Sequence, residues 1–293
     1  MKFRSRPDKV FDIVNTLIMT VITFLVLYPL YFIIISSVSD PVYVNSGAVW
    51  LYPEGFTLEG YTQIFKDQRV YTGYMNSLIY TVLGTSLNVV LTISSGYVLS
   101  RKDLAGRSII MFFIVFTMLF QGGLIPTYLV VQSLGLVNTI GAMILPGAVS
   151  TFYIIVARTY FQSSLPDELL EAAQIDGCSN IKFILRIVVP ISAPIVAVMV
   201  LFYAVGHWNA YFSALIYLRD TGKYPLQLIL REILLSGKVQ ELATDTENMS
   251  DVLQKAELIK YGMIIVASLP VLVLYPFLQK YLIKGVMIGS VKG

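Results

Sequence analysis

The sequence predicts an all-α integral membrane protein with six transmembrane helices, and three observations carry that prediction. Of the 293 residues 56% are apolar and 13% charged, with mean hydropathy +0.72, whereas a soluble domain carries roughly 45–50% apolar and about 25% charged residues. Half the usual charge density does not cover the surface of a soluble globule of this size. The apolar residues gather into six runs near the length of about 20 residues that a bilayer core requires. The charged residues stand between those runs, as expected when one charge at a helix centre costs about 2.5–3.5 kcal/mol. The composition also argues against a disordered chain, a disulfide scaffold or a nucleic-acid-binding domain. One cysteine, Cys178, excludes an intramolecular disulfide, and one histidine, His207, argues against a His-rich metal site.

The first run, Ile13–Ser37, follows a basic start and imitates a signal peptide. It exceeds the usual apolar length of a leader and ends in Tyr28-Pro29 and Ser36-Ser37 without a small-residue cleavage site, so it reads as an uncleaved span. The others are Met75–Leu99, Ile109–Val131, Thr139–Ala157, Val188–Phe212 and Tyr261–Ile283. Pro29, Gly84, Gly96, Pro146, Pro194, Gly206, Pro270 and Pro276 fall within or beside these runs, where membrane helices tolerate them as packing and kink positions.

Charge orients the spans. The N-terminal segment, the Arg101–Arg107 loop, the Arg158–Arg186 loop and the C-terminal tail hold 13 of the 21 basic and 7 of the 18 acidic residues. Both termini are therefore expected in the cytoplasm. The expected organisation is a cytoplasmic segment at 1–12 and a single six-span domain at 13–293, with external loops near 39–74 and 213–260 and a cytoplasmic loop at 161–189. The second external loop carries a helix-like stretch, Leu226–Ser236, and an acidic one in which Glu241, Asp245, Glu247 and Asp251 stand. Loops of this length are usually functional or disordered.

The cytoplasmic loop is the most informative part. Ser164 is expected to cap a short helix, with Asp167 and Glu168 against its positive end. Leu165, Leu169 and Ala172 form an apolar row, and Gly177 supplies a left-handed stop. Ser179 then opens a second helix carrying Lys182 and Arg186, ending near Pro190. A helix of two turns is marginal alone in water, and one with an apolar row, small alanines and the carboxylate of Glu171 suits a partner's groove. Basic residues that would favour a lipid surface instead are absent from this helix.

The pattern Glu171-Ala172-Ala173, three residues, Gly177, nine residues, Ile187-x-Val189-Pro190 resembles the EAA loop of binding-protein-dependent ABC importer permeases, with Val189 where Leu is commoner. Gly206-His-Trp-Asn-Ala-Tyr-Phe212, Tyr224-Pro-Leu226 and the ending Tyr281–Gly293 resemble the carbohydrate permeases similar to the smaller maltose-importer permease. Within that group the chain is most similar to the LplC-like family, some members of which serve polysaccharide importers, alginate included. An expanded external loop, about Arg231–Ala256, departs from the pattern.

The resemblance implies a type I ABC importer permease architecture in the bacterial inner membrane, with a coupling-helix loop. It implies a second related permease, two ATPase subunits that carry ATP and magnesium, and an extracytoplasmic solute-binding protein as partners, besides membrane lipid. It assigns ATPase coupling to Glu171, Ala172, Ala173, Asp176 and Gly177. The external acidic residues Glu241, Asp245, Glu247 and Asp251 become candidates for the binding-protein contact. These acids would repel a polyanionic solute unless calcium or basic partner groups intervened. Tyr203, His207, Trp208, Asn209 and Tyr211 offer aromatic faces and hydrogen-bonding groups suited to a sugar pathway, the competing reading being an interfacial aromatic belt.

No cofactor, metal or catalytic residue is expected in this chain. No G-x-x-x-x-G-K-[ST] loop is present to hold ATP. An intramembrane protease would need a Ser–His dyad or paired aspartates, and a secondary transporter or channel would need intramembrane ionisable groups or a filter; the sequence shows neither. A non-transport membrane scaffold remains the other alternative.

Overall fold

The computed structural model describes residues 6–241, 259–276 and 279. Every regular element among them is helical. Three helices are long and apolar enough to cross a membrane: Lys9–Ser36 within α1 (Arg6–Ser36), α4 (Gln68–Ser100) and α15 (Ile259–Pro276). Two further pairs qualify only as bent combinations, which gives up to five spans among the described residues. The six uninterrupted runs of the sequence are therefore resolved differently, and the breaks have local causes.

The third run divides into α5 (Arg107–Leu119) and α6 (Leu124–Ser133), which meet at 114°. Between them Gly123 adopts φ +81° and ψ 179°, a conformation open to glycine and strained for other residues. The 13 residues of α5 extend roughly 20 Å at 1.5 Å per residue, short of a hydrocarbon core of about 30 Å. The fourth run divides at Pro146-Gly147 into α7 (Ile140–Ile144) and α8 (Thr151–Ser164). The fifth, expected from Val188, is continuous with α10 (Asn180–Phe183), which runs through a π-helical turn at Ile184–Val188 into α11 (Val189–Ile191) and bends by 83° before α12 (Ala193–Trp208). Pro190 and Pro194 flank that bend: Pro190 lacks the backbone donor that a continuous helix would use, and Pro194 stands in the first turn of α12, where its fixed φ suits a helix start. The second run is longer than expected, since α4 begins at Gln68 rather than near Met75.

The described residues form two compact units, one from Met1–Gln68 and Leu230–Ser268, the other from Arg69–Ile229 and Leu269–Gly293. In the first, α1 leads through α2 (Pro41–Asn45) to α3 (Glu59–Lys66). Tyr61 Oη donates to Ser37 Oγ at 2.9 Å, and Phe32 meets Tyr261 edge to face at 6.1 Å.

The second unit has its core between α4, α8, α10 and α12, where Ile93, Tyr97, Ala157, Phe161, Phe183, Val188 and Met199 are buried together. Gly96 lets α4 and α8 approach closely: a Cβ there would lie 2.7 Å from that of Ala157. At the other end, Asn76 Nδ2 donates to the carbonyls of Gly222 (2.8 Å) and Tyr224 (3.1 Å), and Ser77 Oγ accepts from Leu226 N at 2.8 Å. These bonds anchor the turn between α13 (Tyr211–Tyr217) and α14 (Leu226–Glu241) onto the start of α4. Part of the long loop expected outside the membrane is thus ordered structure.

Candidate coupling loop and translocation residues

α8 ends at Ser164, because Leu165 turns extended and Pro166 cannot continue the helix. Ser164 is therefore the last residue of one helix and not the cap of the next, which corrects the sequence expectation. Pro166 stands at the N-cap of α9 (Asp167–Ile175) without a side-chain bond. Its fixed φ leads the chain into the helix at the cost of the capping hydroxyl.

The other end of α9 closes as expected. Gly177 adopts φ +67°; its N–H bonds to Gln174 O at 3.0 Å, and Cys178 N–H bonds to Ala173 O at 2.9 Å. That pair of bonds is a Schellman motif, which satisfies two terminal carbonyls and reverses the chain in one residue. Ser179 Oγ then accepts from Lys182 N at 3.4 Å and caps α10.

The residues assigned to coupling divide between two faces. Glu171, Ala172, Asp176 and Gly177 are exposed. Ala173 is only 6% exposed and packs into the unit's own core with Leu165 and Leu170. The apolar row read from Leu165 through Leu169 to Ala172 thus separates, Leu165 facing inward and Leu169 and Ala172 outward. The two alanines do not share a surface, because successive helical residues lie about 100° apart. Beside Ala172 the outer face leaves Ile175 at 87%, Ile181 at 73% and Leu185 at 64% exposure, an apolar surface with no covering from the described chain.

α9 is braced from the preceding loop. Lys102 Nζ lies 2.6 Å from Asp167 Oδ2, and this bond raises the Lys102 pKa. Next to it, Arg101 grips Asp103 through two N–H donors at 2.8 and 2.5 Å, which holds the Asp103 carboxyl below its ordinary range. Arg158 Nε reaches Leu99 O at 3.1 Å and ties α8 to the end of α4. Tyr97, Arg101, Lys102, Phe161, Asp167 and Glu168 line a cavity of about 500 Å³ under α9.

The five candidate pathway residues do not converge on one surface. Tyr203 is buried, with its hydroxyl 2.7 Å from Thr92 Oγ1 and its ring edge to face with Tyr153 at 4.9 Å. His207 Nε2 lies 3.3 Å from Asn88 Oδ1, while Asn88 Nδ2 donates to Gly147 O at 2.9 Å. The Asn88 oxygen thus faces the ring, and Nε2 carries the proton in this contact. Trp208 is 3% exposed and meets Tyr74 edge to face at 5.5 Å. It lines an apolar groove of about 590 Å³ with Thr81, Thr85, Ala204 and Pro270. Asn209 and Tyr211 are exposed, and Asn209 Nδ2 turns back to Val205 O at 2.9 Å.

Asn88 and Thr92 were not among the residues singled out from the sequence. The available signal was two polar side chains one helical turn apart in an apolar run, since polar groups within spans are satisfied by neighbouring helices. Glu241 is the last residue of α14, and Asp245, Glu247 and Asp251 lie outside the described residues.

Long apolar helices and two bent pairs define a multi-span helical membrane protein. A family model described as binding-protein-dependent transport system inner membrane component matches residues 70–288, and the chain belongs to that family. It is 39% identical over 289 residues to Protein LplC of Bacillus subtilis (strain 168), covering 99% of this chain and 97% of that one. It is 40% identical over 291 residues to the polygalacturonan/rhamnogalacturonan transport system permease protein YtcP of the same organism, covering 98% and 99%. Among solved structures, a chain from a bacterial ABC transporter involved in the import of the acidic polysaccharide alginate matches with TM-score 0.86 and 30% identity, covering 96% of this chain and 100% of that chain. The protein is thus a transport component and not an enzyme.

Proposed function

We propose that this chain is one of two permease subunits of an ATP-driven importer for acidic oligo- or polysaccharides, and that α9 transmits closure of a separate ATPase pair to the spans. The observation that carries the coupling role is the Schellman turn at Gly177, which fixes Glu171 and Ala172 outward beside exposed Ile175 and Ile181. That surface offers a groove-forming partner a charge for a basic group and an apolar row for burial. Six crossings with both termini in the cytoplasm follow from the charge asymmetry, each bent pair and the α7–α8 segment then counting as one crossing.

The solute class rests on similarity to one relative named for polygalacturonan and rhamnogalacturonan and to one structure named for alginate. ATP and magnesium belong to the ATPase partners, and an extracytoplasmic binding protein delivers the solute. Glu241, Asp245, Glu247 and Asp251 are the candidates for contact with that receptor, with calcium or basic partner groups offsetting their repulsion of an acidic solute. Tyr203, His207, Trp208, Asn209 and Tyr211 serve the path, with Asn88 orienting the imidazole.

The experiment purifies the tagged chain from its native membrane, beside Glu171→Lys and Gly177→Pro variants, and scores a bound ATPase and a second permease. Wild type is expected to bring both, and the variants to lose the ATPase alone. Wild type without an ATPase under mild solubilisation, or variants that retain it unchanged, would overturn the coupling assignment. Uptake of oligogalacturonate against neutral maltooligosaccharide in proteoliposomes tests the solute class; preference for the neutral chain refutes it.

A further inference from the structure

The segment after α1 folds back along it. Asp40 N donates to Glu54 O at 3.0 Å and Thr57 N to Val38 O at 2.9 Å, which closes the neck of a compact loop. Gly55, at φ +60°, makes that closure possible, for a Cβ there would lie 2.8 Å from Asp40 Cβ. The tip of the loop is tied to the helix wall: Tyr31 Oη donates to Leu51 O, and Tyr28 Oη to Trp50 O at 3.5 Å. Tyr31 and Tyr28 stand five and eight residues before the end of α1, hence about 8 and 12 Å back along it at 1.5 Å per residue.

This depth matters because α1 crosses the bilayer. With Asp12, its last charged residue, at one boundary, the 24 residues from Ile13 to Ser36 extend roughly 36 Å, about 6 Å beyond a hydrocarbon core of about 30 Å. The loop tip therefore lies at the boundary between headgroups and acyl chains. Its chemistry fits that boundary. Residues 41–53 carry no charged side chain. Val49 is 2% exposed and pins the tip, while Trp50, Leu51 and Tyr52 are 69, 57 and 75% exposed. Rings with an apolar body and a polar edge favour this layer.

We infer that the 41–53 loop is a membrane-dipping anchor whose Trp50, Leu51 and Tyr52 insert into the lipid headgroup and upper acyl layer around the C-terminal end of α1. By the basic N-terminal segment that end is the outer leaflet. The inference needs only that α1 spans a bilayer and stands apart from the transport reading.

The test is difference fluorescence of the assembled importer in phosphatidylcholine/phosphatidylglycerol nanodiscs, wild type minus Trp50→Phe, so that Trp208 and partner tryptophans cancel. Lipids brominated near the headgroup end of the acyl chain are expected to remove most of the difference signal, with weaker quenching by deeper bromines and by aqueous iodide. Strong iodide quenching without bromolipid quenching would place Trp50 in water and overturn the anchor. A signal insensitive to both would mean a protein covers it, and would overturn the anchor equally. Because Trp50 is exposed, Trp50→Phe leaves the fold intact; a Tyr52→Trp probe in the Trp50→Phe background supplies a second, independent reading of depth.

Discussion

Asn88 joins three separate elements inside the second unit: its own helix α4, the break at Gly147 and His207 on α12. Both ends of its amide are used, and it is 1% exposed. Asn88→Leu keeps the volume but removes both bonds, to the exposed Gly147 carbonyl and the partly buried His207 ring, each worth about 1 kcal/mol. We expect a clear fall in the thermal midpoint of the detergent-solubilised protein, measured by intrinsic fluorescence. Asn88→Gln should not restore it, since the longer amide does not fit the same two partners. Gly84 makes the site possible, because a Cβ there would fall 2.4 Å from the His207 ring. Gly84→Ala is therefore expected to displace the imidazole and lower the midpoint too, while an unchanged midpoint would show that the ring has room to move. The polar character of Asn88 was legible from sequence, whereas its pairing with a histidine 119 residues away was not.

At the scale of elements, α9 owes its pose to its two ends. No atom lies within 4 Å of the Cβ position of Gly177, so Gly177→Ala meets no clash and bears only the left-handed backbone cost, about 1–2 kcal/mol. The expected outcome is normal membrane insertion with weaker ATPase retention, read by titrating detergent during co-purification; full retention would assign the turn no part in coupling. At the N-terminal end Lys102 and Asp167 form an exposed pair. Exposed pairs contribute little to global stability, so a role in aiming α9 should show in coupling instead. Lys102→Asp or Asp167→Lys alone is expected to reduce solute-stimulated ATP hydrolysis, and the charge-swapped double variant to recover it. Failure of the swap to recover activity would leave the pair without that role. The two-helix loop, its Gly177 stop and its Ser179 cap were readable from residue chemistry. The Ser164 cap was misread because Pro166 imposes its own boundary two residues later, and the burial of Ala173 depends on the helices beneath it.

For the whole molecule, the orientation inferred from charge has a native reporter. Cys178 is the only cysteine of the chain and is partly exposed directly after the Gly177 turn. A membrane-impermeant maleimide is expected to label it in inside-out vesicles and not in right-side-out cells, with protection when the ATPase is bound. Labelling from outside would invert the topology and remove α9 from the ATPase side.

Composition together with the length of the apolar runs and the placement of charges determined that the chain is a multi-span helical membrane protein, because transfer free energy depends on how many apolar and charged groups a segment carries. Local spacing determined the helix, Gly177 stop and Ser179 cap of the loop after α8, because caps and left-handed stops are short-range chemistry. The apolar runs break at local features, Gly123, Pro146, Pro190 and Pro194, and tertiary structure decided how the segments on either side of them pack. It also decided which face of α9 turns outward, which aromatic rings are buried, and that the loop after α1 returns along its own helix. Those outcomes depend on side chains distant in sequence competing for the same space, and no single segment encodes them.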